Sequence, residues 1–301
     1  MPRSPEELKS SLRGLIGFGV TPFHDDLSID FEALRENASR LAEACDVVVP
    51  LGNNGEIFSL SATEQKLVGQ AVVDEVRGRK PVLVGVGFCL PVARDLAQAA
   101  EACGADGILA LPPWVASAGD DGLFAYFQSI ADAINIGVVL FQTPALNFNT
   151  SLLHRLASIT NIVGMKDEHG DMNQFVRQRA AVGNRMELLC GVGEILAPSY
   201  FALGVKAFTS GLVNFMPETP LRILKYLKEG ALQRAARIVE EETIPIFDLR
   251  RKRPGYGTVV VKEAMNLCGI NVGPVRPPLA PLRPADRKEL KLILSRLRLF
   301  E

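Results

Sequence analysis

The sequence predicts a (β/α)8 barrel (a TIM barrel, class α/β) with a C-terminal helical domain. Eight short apolar runs recur between residues 15 and 210, most of them separated by a stretch with helical apolar spacing, and the runs stop after Pro217. Runs that are apolar throughout, rather than alternating, are what parallel strands buried on both faces require. Eight of them, alternating with helices, are what a closed barrel demands. An open doubly wound sheet is the competitor, but no glycine-rich dinucleotide loop follows the first run. The expected division is a barrel over 1–216 and a helical unit over 217–301.

The elements follow in order. Residues 15–21 read as the first strand and 22–26 as a turn, after which Asp30 caps a helix running to about residue 44. Residues 47–51 form the second strand, 52–56 the loop after it, and Ser61 with Glu64 makes a capping box for the next helix. A third strand at 82–86 leads to a helix at 93–103, and a fourth at 107–110 leads past Pro112-Pro113 to a helix at 123–133. The fifth strand, 137–141, precedes a helix at 151–158, and the sixth is the apolar segment 162–165 that ends in Lys166. Strands at 187–190 and 207–210 flank a helix at 196–203. Helical spacing then returns at 221–226, 232–249, 259–267 and 286–297, broken by Pro254-Gly255 and Gly273-Pro274.

Composition narrows the function. Of 301 residues, 48% are hydrophobic and 22% charged, as in a globular protein that needs neither disulfides nor metals to build its core. A net charge of -1 argues against a polyanion-binding surface, so no nucleic-acid partner is expected. The run Arg250-Arg251-Lys252-Arg253 reads instead as a solvated helix end, where cations suit the dipole. Five widely spaced cysteines without a CxxC pair read as buried reduced thiols, which favours a reducing compartment. Three scattered histidines make a zinc cluster improbable. The N-terminal residues lack the apolar run of a signal peptide, and no segment reaches membrane-spanning length. A cytoplasmic protein with no membrane partner, metal or cofactor is the expectation.

Active sites of such barrels lie at the carboxyl ends of the strands. Those ends supply Thr21, Asn53, Asn54, Gly55, Glu56, Trp114, Phe141, Lys166, Asp167, Gly191 and Ser210. Lys166 stands out because burial lowers a lysine's pKa toward the range where the free amine attacks carbonyls. The alternative is a lysine that caps its strand and points into solvent.

Taken together, Gly19-Val20-Thr21-Pro22-Phe23, Gly52-Asn53-Asn54-Gly55-Glu56, Gly104-Ala105-Asp106-Gly107, Pro112-Pro113, Val163-Gly164-Met165-Lys166-Asp167 and the segment from Gly273 to Leu279 form a specific set. The chain resembles, over nearly its whole length, the dihydrodipicolinate synthase / N-acetylneuraminate lyase superfamily of Schiff-base barrels. Residues 109–115, 202–218 and 250–262 look most like its 5-dehydro-4-deoxyglucarate dehydratase branch. The resemblance implies that Lys166 forms an imine with the 2-oxo carbon of a small α-keto acid, making the C3 proton or the C3–C4 bond labile. It implies that the Asn53-Asn54-Gly55 loop holds the substrate carboxylate through N–H donors, and that the protein is a homo-oligomer, dimer or tetramer.

The chain also departs from the resembled pattern. Asn53 and Asn54 stand where two hydroxyl residues are usual, and Leu146 where the synthase branch has an arginine. Val115 replaces the tyrosine that a neighbouring subunit of the synthase branch contributes, as the dehydratase branch also does. Phe141 occupies the position of the tyrosine that relays protons, and a phenylalanine cannot do so. His169, three residues past Lys166, is the candidate replacement, with a surface-loop histidine as the alternative. Trp114 is expected to wall the pocket or to serve as a core aromatic, and Glu56 to brace its loop. The first expectation is thus a lyase dehydrating a deoxy-keto sugar acid. An aldolase on a related keto acid, or a keto-acid-binding relative without catalysis, is the alternative.

Overall fold

In a computed structural model, residues 2–113 and 118–300 are described. Eight parallel strands form the barrel: β1 (Gly14–Phe18), β2 (Val47–Val49), β3 (Leu83–Val86), β4 (Gly107–Ala110), β5 (Gly137–Gln142), β6 (Ile162–Asp167), β7 (Glu187–Cys190) and β8 (Ala207–Ser210). Their order is β2-β1-β8-β7-β6-β5-β4-β3, and a parallel bridge between Val48 and Val82 joins the two ends of the sheet. Every strand residue except Glu187 is buried, which is why the strands read as unbroken apolar runs.

Among the described residues the helices are α1 (Pro5–Ser11), α2 (Phe31–Ala44), α3 (Ala62–Val76), α4 (Leu90–Ala102), α5 (Asp120–Ala131), α6 (Thr150–Leu156), α7 (Met172–Val182), α8 (Ala197–Ala202), α9 (Glu218–Lys228), α10 (Leu232–Ile238), α11 (Ile244–Arg251), α12 (Tyr256–Leu267) and α13 (Pro284–Arg296). The expected caps form: Asp30 accepts from the N–H groups of Glu32 and Ala33, and Ser61 and Glu64 close a capping box. No helix among the described residues is long and apolar enough to cross a membrane.

Several boundaries differ from expectation for identifiable reasons. β2 stops at Val49 because Pro50 has no N–H to donate. β1 stops at Phe18; beyond it, the Thr21 carbonyl accepts from Lys262 and its hydroxyl donates to Gly55, so neither serves the sheet. The expected single helix over 232–249 is interrupted by a π-helical turn, Val239–Thr243, which ends two residues before Pro245. Two helices were not anticipated. α7 fills the gap between β6 and β7, and α1 plugs the amino end of the barrel. There Leu8 and Leu12 press so closely on Gly107, Gly137 and Gly164 that a Cβ at any of them would lie within 2.9 Å of a leucine methyl.

Of the five cysteines, all free, only Cys45 and Cys190 are buried, and Cys89 is exposed. This corrects the expectation that most are core thiols. The main apolar core runs from Leu8 to Val239. A second one joins α11, α12 and α13 to Val20, Leu212, Phe215 and Met216, and so ties the last helices to the carboxyl rim of the barrel.

Candidate active site

β6 delivers the central side chain. Lys166 pairs in register with Phe141 of β5 and Leu189 of β7, one residue before its strand ends. It is 5% exposed and lines a cavity of about 330 Å³ at the barrel mouth. Its ammonium stands 3.7 Å from the centroid of the Phe141 ring and 5.0 Å from that of Phe18, and it is ion-paired with Glu168. Aromatic faces attract cations, so two rings and a carboxylate converge on one nitrogen. Gly191, just past β7, is the residue that leaves room: a Cβ there would lie 2.7 Å from Lys166 Cγ and from the Asp167 carbonyl.

Successive side chains on a strand point to opposite faces. Asp167 accordingly turns away into a buried network, accepting from Gln142 Nε2 at 2.8 Å, the Tyr200 hydroxyl at 2.6 Å and the His169 backbone N–H at 2.9 Å. Burial, reinforced by the Asp167 charge, pushes the Tyr200 phenol far up, so it stays a donor. This network clamps the end of β6 from behind.

The loop after β2 is held from below. Glu56 is fully buried; its carboxylate accepts from Lys262 Nζ at 2.9 Å and from the Arg276 backbone N–H at 2.9 Å. Lys262, equally buried, also donates to the Thr21 carbonyl at 2.9 Å and the Pro274 carbonyl at 2.5 Å. Burial pushes the Glu56 carboxyl up and the Lys262 ammonium down to about 8, each partly offset by the other's charge. Thr21 Oγ1 donates to the Gly55 carbonyl at 2.7 Å, and Thr258 Oγ1 to that of Asn53 at 3.0 Å. Glu56 therefore does brace its loop, and α12 supplies its counter-charge.

The far wall carries two groups that sequence reasoning missed. Glu194 is fully buried; Ser210 Oγ donates to its Oε1, and its Oε2 has no hydrogen-bond partner. Burial pushes its carboxyl up, against the Ser210 hydrogen bond and the Arg250 charge. Arg250 donates from Nε to the Gly257 carbonyl at 3.0 Å, and its guanidinium lies 4.8 Å from the Phe247 ring centroid. The run 250–253 is thus not a uniformly solvated helix end: Arg250 and Arg251 line the cavity, while Lys252 and Arg253 bind Asp286 at 2.6 and 3.2 Å. A hidden Arg inside a basic run carries no sequence signal of its own.

The mouth brings together Asn53, Asn54, Phe141, Lys166, Gly191 and Ser210. Thr21 and Gly55 lie beneath the rim as braces. His169 does not line the cavity, and its Nδ1 is buried without a partner. We therefore expect His169→Ala to change kcat by less than about tenfold, below the usual acid–base contribution, in a steady-state assay. Trp114 and Val115 lie outside the described residues. Among the described lining residues, Lys166, Arg250 and Arg251 face the carboxylates Glu168 and Glu194, and burial moves Glu194 toward neutrality. The balance favours an anionic ligand.

Comparison with known proteins adds to this geometry. The sequence profile of the Dihydrodipicolinate synthetase family matches residues 11–297. A probable 5-dehydro-4-deoxyglucarate dehydratase of Methylobacterium radiotolerans is 35% identical, covering 97% of this chain and 98% of its own. One of Rhodococcus opacus is 34% identical over 98% of each chain. The crystal structure of dihydrodipicolinate synthase from Oceanobacillus iheyensis superposes with a TM-score of 0.93 at 30% identity, covering 98% of this chain and 99% of that one.

Proposed function

The chain belongs to the Dihydrodipicolinate synthetase family, and from that premise we propose that its barrel mouth dehydrates a deoxy-keto sugar acid through an imine on Lys166. The enzyme is a keto-acid lyase. The observation that carries the reading is the placement of Lys166, an amine nearly out of solvent, in a cavity whose other cations await an anion.

A 5-dehydro-4-deoxyglucarate has a carboxylate at each end, a ketone next to one of them, and a methylene followed by a hydroxyl carbon. Lys166 takes the ketone. The Asn53 and Asn54 amides and the loop N–H groups hold the near carboxylate, with Thr21 and Gly55 fixing the loop. Loss of a methylene proton gives an enamine, which expels the next hydroxyl. Glu194, held by Ser210 and raised by burial, is placed to protonate that departing hydroxyl.

Arg250 takes the far carboxylate. Hydrogen bonds to charged groups contribute about 1.5–3 kcal/mol, so Arg250→Ala should raise KM for the dicarboxylate roughly 10–100-fold. It should leave the binding of pyruvate, which has one carboxylate, unchanged. Equal losses for both would remove Arg250 from substrate recognition.

The helices beyond Pro217 form, in this reading, the unit that walls the mouth, through Phe247, Arg250 and Thr258. We also place the protein in the cytoplasm, on its free thiols, and propose a homo-oligomer. The deciding assay is turnover of 5-dehydro-4-deoxyglucarate beside a panel of aldol substrates. Cleavage of carbon–carbon bonds without dehydration would favour the aldolase instead.

A further inference from the structure

Imine chemistry needs a group that moves protons at the amine. Among the described lining residues, those that meet Lys166 Nζ are the rings of Phe141 and Phe18, which cannot ionise, and the Glu168 carboxylate, which can. Glu194, the other lining carboxylate, already accepts from Ser210.

The placement of Glu168 follows from the strand. The Glu168 N–H donates to the Gln142 carbonyl at 3.0 Å, continuing the β5–β6 ladder one residue past the end of β6. Residues i and i+2 share a face, so Glu168 returns to the side of Lys166 while Asp167 is pinned behind. The two side chains differ in one useful respect: that of Lys166 is 6% exposed and that of Glu168 33%. The lysine is kept dry, while the carboxylate touches it and also reaches water, with which a proton carrier must exchange.

Resting on the imine reading, we propose that Glu168 is the catalytic acid–base residue of this site, doing what Phe141 cannot. Glu168 first accepts the ammonium proton, which frees the Lys166 amine to attack the ketone. It then passes that proton to the new alkoxide and takes a second one from the nitrogen, leaving a neutral carbinolamine. The resulting carboxylic acid gives this second proton to the carbinolamine hydroxyl, which leaves as water. The products are a protonated imine and an ionised Glu168. Its carboxylate then takes a proton from C3, two bonds from the nitrogen it touches, giving the neutral enamine. Every proton released is held by Glu168, and no further reactant is needed.

Pyruvate in D2O tests this, because an enamine exchanges the methyl hydrogens for deuterium and borohydride traps the imine. Wild type should give both a Lys166 adduct and methyl exchange followed by proton NMR. Glu168→Gln should still give the adduct at long incubation but should lose exchange by about 10²-fold or more, the scale of acid–base catalysis. Glu168→Asp, which keeps the carboxylate, should exchange faster than Glu168→Gln; equal rates would count against the proposal. An adduct with exchange within threefold of wild type in Glu168→Gln would reduce Glu168 to a counter-ion. An adduct without exchange in wild type would overturn the proposal equally. Absence of any wild-type adduct would instead remove the imine reading itself.

Discussion

Lys166→Ala is expected to lower kcat for keto-acid dehydration by at least about 10⁴-fold, since removing a covalent nucleophile removes the intermediate and not merely a proton transfer. Borohydride with pyruvate should leave no mass increase on the peptide containing residue 166, whereas wild type should carry one. The fold should survive. The substitution removes a nearly buried cation and leaves Glu168, a third exposed, to be solvated at the mouth. Thermal unfolding measured alongside separates lost chemistry from lost structure. Residual turnover within tenfold of wild type would mean that Lys166 is a relic in its strand.

Lys262→Met should be the most damaging change to stability. It strands the fully buried Glu56 without its cation, and breaking such a pair costs about 3–5 kcal/mol. For a chain of this size that is a fall in Tm of roughly 5–8 °C. The deficit should depend on pH in a definite sense. The folded-state pKa of Lys262 is depressed to about 8 from 10.5, so between those values the unfolded chain holds the extra proton and rising pH favours the wild-type fold. Glu56 is shifted the other way: its folded pKa lies above 4.5, so the folded state holds the extra proton and rising pH disfavours the fold until Glu56 ionises. Without Lys262 that penalty grows. Denaturant titrations should therefore show a gap between wild type and variant that is small in acid and widens toward alkaline pH. A gap constant from pH 4 to 10 would show that the pair does not act as an ion pair.

Much of this architecture was legible in the residues. Parallel strands covered on both faces leave apolar runs, which is why all eight could be seen and why Lys166, a charge closing one of them, stood out. Within the site, the groups that carry no sequence signal are polar. Glu168 looks like any loop residue unless β6 is extended past Asp167, when the two-residue period sets it beside Lys166. Glu194 and Arg250 come from segments far from β6, and only the closure of the barrel and the return of α11 to its rim bring them in. His169 was chosen for proximity in sequence to Lys166, yet one position past Glu168 is the wrong face. α1 was missed because seven residues with a single buried leucine give almost no periodic signal.

The brace under the binding loop also bears on synthesis. Lys262 reaches back 241 positions to Thr21, and Arg276 reaches back 220 to Glu56. Chains fold from the amino terminus as they leave the ribosome, so all eight strands emerge before either tie exists. A nascent chain stalled near residue 250 would display Lys166 on a formed strand, above a loop held by Thr21 but not yet by Lys262, Thr258 or Arg276. The reactive amine is therefore present early, and the cradle for its substrate arrives late. Ribosome-bound chains truncated before residue 262 should bind keto acids poorly, and affinity should appear abruptly once residue 276 has cleared the exit tunnel.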